Sequence, residues 1–361
     1  MTDAPRIGML LDRPFPPDPR VANEARSLVR AGYRVALACW RLDDATPEEE
    51  TWEGIDVWRT RIGSAFYRKA SAISLEMPFY RWAVRRALAR LDRSGPLAAL
   101  HTHDLPMVSE GARFCRRRGI PLIADLHENW PAALRTYQYA QTRLGRILIS
   151  PDRWAAHERA ILPRADRIVV VIEEAKERLV ALGLEPDRIA VVRNTVAVDE
   201  FSRFGVDRAL LARFHGRFVI SYLGGFDRHR GLESAVDAMP QILERIPDAL
   251  LLLVGRGATE TALRERAARL GLGDRVRFEG WQPFARFPSY LAASQVSLIP
   301  HLRNEHTDTT IPHKLFQTML LERAVVVSDC RPLRRIVEET GCGTVYRSGD
   351  AGELARAVVA L

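Results

Sequence analysis

Phe218-Val219-Ile220-Ser221-Tyr222-Leu223-Gly224-Gly225-Phe226 runs from an apolar segment of strand length into two glycines, and Arg228-His229-Arg230-Gly231-Leu232-Glu233 then opens a helical pattern. A short apolar run that ends in glycine and gives way to a longer amphipathic run is the β-α unit of a parallel sheet. The unit recurs on both sides. Downstream, residues 249–254, 275–278, 296–299, 324–328 and 343–346 read as strands, with helices after Gly231, Thr259, Phe284, Pro312, Pro332 and Asp350. Upstream, strands fit residues 6–11, 35–39, 55–59, 100–103, 122–126, 168–172 and 189–192. Between the first two, Asp18-Pro19 supplies an N-cap and a first-turn proline. Val21, Ala22, Ala25, Leu28 and Val29 then mark one helical face, which Gly32 ends.

Such alternation implies α/β architecture, a parallel sheet with helices on both faces and ligands beyond the carboxyl ends of the strands. A chain of 361 residues exceeds what one core usually supports. Two doubly wound, Rossmann-like domains are therefore expected, residues 1–200 and 201–361, joined near 196–214 and facing each other across a cleft. One large doubly wound domain is the alternative.

Hydrophobic residues make up 47% and charged residues 27% of the chain, an ordinary composition for a soluble protein. No apolar run approaches the roughly 18 residues of a membrane span, and the opening residues lack the apolar stretch of a signal peptide. Cys39, Cys115, Cys330 and Cys342 are scattered and read as reduced thiols of a cytoplasmic protein. The net charge of +8 suits an anionic ligand or surface. Nucleic acid is disfavoured, because no basic run is built into a recognisable nucleic-acid module. Gly255-Arg256-Gly257 follows a strand without the third glycine of a dinucleotide fingerprint, which argues against a hydride-transferring dehydrogenase, and a Walker loop is also absent.

The ordered set of motifs is more informative. It comprises 222–226, 228–233, Leu253-Val254-Gly255-Arg256-Gly257, Val276-Arg277-Phe278-Glu279-Gly280-Trp281, the run 309–319, and 324–329. In this order they resemble the C-terminal domain of the family 4 retaining glycosyltransferases (glycosyl transferases group 1), which have the GT-B fold. Gly32-Tyr33-Arg34-Val35, His101-Thr102-His103-Asp104-Leu105-Pro106, Asp125-Leu126-His127-Glu128 and Arg193-Asn194-Thr195 match landmarks of the first domain.

The resemblance implies a retaining transfer of a sugar from a nucleotide diphosphate sugar to a glycan or lipid-linked acceptor. It assigns the catalytic roles to His103, Arg230 and Lys314. A diphosphate leaving group needs cations and helix N-termini; Arg230 stands where the family carries a lysine, and Lys314 is the second cation. Donor binding is assigned to Gly224, Gly225, Arg230, Gly255, Phe278, Asp308, Thr309, Thr310, Ile311, Lys314 and Gln317. The acceptor side takes Asp18, Arg20, His127 and Glu128. No cofactor is expected. No metal is expected either, since no Asp-x-Asp pair or His/Cys cluster has ligand spacing.

Three departures stand out. Thr309 and Gln317, eight residues apart, replace two family glutamates, with Asp308 adjacent, and Gly225 replaces an arginine. They leave open a catalytically weak or inactive GT-B protein that binds sugar nucleotide or polysaccharide; an epimerase or phosphorylase is a weaker third reading. The sequence also stops at Leu361, before the terminal crossover helix usual in the family, so looser interdomain closure is expected.

Residues 61–93 carry Arg61, Arg68, Lys69, Arg81, Arg85, Arg86, Arg90 and Arg93 against Glu76 and Asp92, interleaved with Phe66, Tyr67, Met77, Phe79, Tyr80 and Trp82. Trp130, Tyr137 and Tyr139 with Arg135, Arg143 and Arg146 extend this character. Cationic, aromatic-rich segments suit an anionic membrane surface, so a peripheral membrane enzyme is expected. An ordinary amphipathic helix with a solvated basic face explains the same residues.

Overall fold

The computed structural model describes residues 4–63, 70–75 and 79–361. They form two compact units, Met1–Arg193 and Asn194–Leu361. The first contains β1 (Arg6–Leu10), β2 (Arg34–Arg41), β3 (Glu49–Trp52), β4 (Ile55–Arg61), β5 (Ala99–His103), β6 (Leu122–Leu126), β7 (Arg167–Val170) and β8 (Ile189–Val191). These make one sheet in the order β3-β4-β2-β1-β5-β6-β7-β8. All neighbours pair in parallel except β3 with β4.

The second unit contains β9 (Phe218–Leu223), β10 (Ala249–Val254), β11 (Val276–Gly280), β12 (Val296–Ile299), β13 (Ala324–Ser328) and β14 (Gly343–Tyr346). Their order is β11-β10-β9-β12-β13-β14, parallel throughout. Every strand expected from the sequence is present, within two residues at either end. β3 is the addition. Its four residues, Glu-Glu-Thr-Trp, are partly or fully exposed, so no apolar pattern announces it.

Burial on both faces explains the apolar runs. All six residues of β10 are buried, and the helix Leu232–Arg245 packs on that side of the sheet through Leu232, Ala235, Val236, Met239 and Ile242. Each such leucine contributes about 1.5–3 kcal/mol by leaving water. In the first unit Asp18 Oδ1 accepts the Val21 amide at 3.1 Å and caps the helix Pro19–Arg30. The four cysteines are free thiols, with Cys39, Cys115 and Cys330 buried. Among the described residues no helix is long and apolar enough to cross a membrane.

Strand order settles where each unit can hold a ligand. β1 lies between β2 and β5, and β9 between β10 and β12, so the winding reverses beside β1 and beside β9. At such a switch point the loops leaving adjacent strands diverge and open a crevice at the carboxyl ends. At the end of β9 the backbone is crowded. Gly255 has φ +143°, and a Cβ there would lie 1.9 Å from Gly224 O. A Cβ on Gly224 would lie 2.6 Å from Lys314 Nζ. Glycine is what allows these approaches.

Part of the basic stretch 61–93, including Phe66, Tyr67, Arg68, Lys69, Glu76 and Met77, lies outside the described residues. The described part is the helix Phe79–Arg93. Its Tyr80 is buried and donates its hydroxyl to Asp12. Arg85 pairs with Glu110, and Arg90 with Glu48 and Glu49. Trp82 alone among its aromatics is largely exposed, at 64%. Trp130 is likewise buried, and Tyr137 donates to Glu128 at 2.6 Å. Tyr80 and Trp130 thus serve the interior, Tyr80 lying on the buried face of its helix while Trp82 lies on the exposed one.

Candidate active site

In the first unit the site grows from the ends of β1, β5 and β6. Asp125, near the end of β6, is fully buried and gathers four cationic or imidazole side chains. Arg20 donates to both carboxylate oxygens, at 2.8 and 3.3 Å, and to Val192 O at 2.7 Å. His101, His103 and His127 approach Oδ2 at 3.5, 3.3 and 3.4 Å. Burial disfavours the Asp125 carboxylate, yet His127 and the three imidazole contacts outweigh it and hold its pKa well below the usual range. Arg20 also reaches Glu24 at 2.9 Å, and Arg13 bridges Asp104 at 3.0 Å and Asp18 at 3.5 Å.

Asp104 has φ +69° and ψ 149°, a region that side chains rarely enter. Holding it there costs on the order of 1–3 kcal/mol. The surrounding bonds enforce it: its amide donates to Asp125 O at 2.8 Å, and its carboxylate faces Arg13 and, at 3.7 Å, His127.

The histidines have distinct states. Burial disfavours the charged form of His127, but Asp104 and Asp125 prevail over it and over the opposing Arg20, raising its pKa to about 9. Burial and the neighbouring His101 lower His103 to about 4, so it is neutral. Nδ1 of His103 faces His127 Nε2 at 3.1 Å. Two N–H groups cannot point at each other across that gap. The Asp125 carboxylate, whose Oδ2 lies 3.3 Å from His103 Nδ1 and 3.4 Å from His127 Nε2, is an acceptor within reach of both rings. Nε2 of His103 is buried without a partner, a polar ring atom available to a ligand.

Three carboxyls titrate high. Burial raises Asp12 to about 6 and, with Asp104, Glu128 to about 7; burial and Asp125 raise Glu24 to about 9. Glu24, His101, His103 and Asp125 bring ligand-type atoms within 4.8 Å of one another, the grouping a metal would use. Arg20 and His127 already balance this charge, so the geometry is that of an ion-pair network.

The pH response follows. His127 is raised in the fold, so the stability it contributes is complete below about pH 6.5 and is lost as pH rises through about 9. Catalytic efficiency is expected to fall over the same alkaline limb as the His127 charge beside His103 is lost. His127→Gln retains an N–H donor without a titrating charge, and a kcat/KM profile should show that limb flattened in this variant. An unchanged limb would refute the assignment.

In the second unit Arg230 and Lys314 meet three histidines beyond β9 and β12. Arg230 donates to His301 Nε2 at 3.0 Å, and its Nε is buried without a partner. Lys314 Nζ sits 3.8 Å from the centroid of the Tyr222 ring. Burial and Arg230 hold the Lys314 pKa well below the usual lysine range. Burial first, then Arg230, lowers His229 to about 3, His306 to about 4 and His301 well below normal, so all three are neutral. Among the described residues neither Arg230 nor Lys314 has a carboxylate partner.

The other sequence candidates fall around this cluster unequally. Gly224 and Gly255 form its crowded floor, and the carbonyl of Gly225 accepts the Tyr222 hydroxyl at 2.7 Å. Thr310 and Ile311 lead into the helix His313–Leu320, with Ile311 O held by Asn194 at 3.1 Å. Gln317 is buried on that helix. Thr309 spends its hydroxyl on Glu305 O at 2.7 Å. Asp308 is bound by Arg303 at 3.0 Å and the Arg331 amide at 2.8 Å. Phe278 packs on Phe226 and under Arg264. In the first unit Asp18, Arg20, His103 and His127 join one network, and Glu128 binds Tyr137 beside it.

Sequence reading did not single out Arg13, Glu24, His101, Asp104 and Asp125, or His229, His301 and His306. His101 and Asp104 flank His103 within its motif, and Asp125 opens the next one, which was the available signal. Glu24, His301 and His306 stand in unremarkable local sequence.

Phosphatidyl-myo-inositol mannosyltransferase of Mycolicibacterium smegmatis is 27% identical over 77% of this chain and 66% of its own length. Alpha-D-kanosaminyltransferase of Streptomyces kanamyceticus is 23% identical over 66% of this chain and 61% of its own. The chain spans about two thirds or less of the length of such curated relatives. Among solved structures, sucrose-phosphate synthase from Thermosynechococcus elongatus superposes with a TM-score of 0.75 at 19% identity, covering 98% of this chain and 88% of that one. Anabaena HepE in complex with UDP and glucose gives 0.69 at 15% identity, covering 98% and 89%. These likenesses bear out the GT-B fold. A glycosyl transferase 4-like domain matches residues 17–195 and the glycosyl transferases group 1 domain matches residues 217–361, so the chain belongs to the group 1 glycosyltransferases.

Proposed function

We propose that the chain transfers a sugar from a nucleoside diphosphate sugar to a glycan or lipid-linked acceptor, with retention at the anomeric carbon and no metal or other cofactor. The observation that carries this reading is the pair Arg230 and Lys314, without carboxylate partners among the described residues, over the glycines at the β9 switch point. Arg230 carries charge, and a diphosphate arriving beside Lys314 favours its protonated form, so the pair matches the roughly two negative charges and stabilises them as the bond to the sugar breaks. Neutral histidines pack beside them without adding charge. The acceptor oxygen forms the new bond to the anomeric carbon, and its proton passes to the departing phosphate oxygen. His103 holds a sugar hydroxyl in place by a hydrogen bond at Nε2. The group 1 membership supports retention, and the relative that mannosylates phosphatidyl-myo-inositol supports a lipid-linked acceptor.

Exposed Trp82, with the basic residues of 61–93, further supports a peripheral enzyme on the cytoplasmic face of an anionic membrane. Sedimentation with anionic vesicles at low salt tests that part, and absence of binding would remove it.

One observation favours a binding protein of low activity instead. Thr309 and Asp308 spend their side chains on internal partners, so neither offers a free carboxylate where the resemblance places a glutamate. A hydrolysis assay over UDP-, GDP-, ADP- and TDP-sugars separates the two. Slow hydrolysis of one donor, lowered about 10²-fold or more in His103→Ala, is the expected result. Tight nucleotide binding with no turnover on any donor or acceptor would establish the binding protein.

A further inference from the structure

A cavity of about 1090 Å³ opens in the first unit at the start of β6, the opposite end of that strand from Asp125. Its walls come from the helices Phe79–Arg93, Leu105–Arg118 and Pro151–Ile161, and Pro121 and Leu122 lie at its floor. Five arginines converge there: Arg81, Arg113, Arg116, Arg117 and Arg164. Arg116 and Arg117 close a helix, where a cation complements the dipole. That does not account for Arg81 and Arg164, which arrive from other segments.

The two carboxylates in the lining do not neutralise the group. Arg85 grips Glu110 with two bonds, at 2.7 and 3.1 Å, while Arg113 stands off at 3.8 Å. Asp166 accepts the Leu122 amide at 2.8 Å. Among the described residues Arg116, Arg117 and Arg164 have no carboxylate partner, and Arg81 uses only Nε, on Ser74 O at 3.1 Å. Ser109 and His157 bond to each other at 2.8 Å in the same wall. Burial, then Arg81 and Arg164 of the same lining, lowers the His157 pKa. Like charges gathered in a concavity raise the local concentration of anions, and guanidinium forks bind phosphate oxygens in pairs.

We propose that this cavity binds a ligand bearing closely spaced phosphates, separate from the site at the carboxyl ends of the strands. A phosphorylated lipid headgroup and a free polyphosphate share this chemistry. The probe is inorganic tripolyphosphate, titrated calorimetrically into protein saturated with UDP, so that the β9 site is already filled. Wild type should bind one equivalent. The triple variant Arg81→Gln, Arg117→Gln, Arg164→Gln should bind it about tenfold or more weakly while keeping its UDP affinity and its unfolding midpoint. Lys314→Ala should leave tripolyphosphate binding at this cavity unchanged. Equal binding by the triple variant and wild type, or no equivalent bound by wild type, overturns the proposal. Vesicles of phosphatidylcholine with a phosphatidylinositol bisphosphate distinguish the source. Sedimentation of wild type but not of the triple variant assigns a lipid headgroup. No difference on vesicles, with the soluble difference retained, assigns a free phosphate.

Discussion

Arg230→Ala is expected to lower donor turnover by about 10²–10³-fold, the cost of removing one preorganised charge from a developing anion. The side chain lies in the short 3-10 turn Arg228–Arg230, which ends at Gly231 with φ +65°. A Cβ at Gly231 would come within 2.0 Å of Pro300 O, so the turn is locked against the end of β12. Removing the Arg230 side chain leaves that lock intact, and the variant should fold normally. Two further consequences separate a lost charge from a damaged fold. Lys314 is held low by burial and by Arg230, so its pKa should rise in the variant. Arg230→Lys should recover part of the rate by restoring charge without the fork. Steady-state kinetics on the hydrolysed donor read the effect in kcat/KM. A loss under about threefold would exclude Arg230 from the chemistry.

The largest expected stability effect belongs to Asp125→Ala, about 3–5 kcal/mol, the usual result of removing one partner from a buried ion pair. Arg20 is 5% exposed and would keep its charge without the Asp125 carboxylate, retaining Glu24 and Val192 O among its partners. His127 would lose one of the two carboxylates that sustain its proton, and the strained Asp104 would lose support from the displaced imidazole. Domains of this kind hold a net stability of about 5–15 kcal/mol, so the variant should unfold at much lower urea. The pH signature has a definite sign. Asp125 is depressed in the fold, so its contribution is complete above about pH 3.8 and is lost as pH falls through its lower folded value. Wild type should lose stability over that acid range, and Asp125→Ala should show a shallower decline. Urea midpoints of the two proteins within experimental error of each other would rule out the network as a structural support.

Legibility in the sequence differed by element for physical reasons. Strands such as β10 were visible because a parallel strand is covered on both faces and must be apolar throughout. β3 was not, since an exposed antiparallel edge strand needs no such run. The Asp18 cap was visible because capping is local, between residues three apart. His103 and Arg230 were reached through motifs, and so through their neighbours in the chain.

What the residues alone determined was the alternation of strand and helix, the glycines at strand ends and the cations available for a diphosphate. These are properties of short segments, set by sterics and by burial. Only the tertiary structure decided that Glu24, His101, His103, Asp125 and His127 share one network, and that Arg230 contacts a histidine 71 positions away. The order in which strands pair joins such residues, and no local pattern encodes that order. The protonation states followed from the same assembly. Whether an imidazole is charged depends on burial and on carboxylates brought in from other strands, which is why His103 and His127, alike in sequence, differ in charge within 3.1 Å of each other.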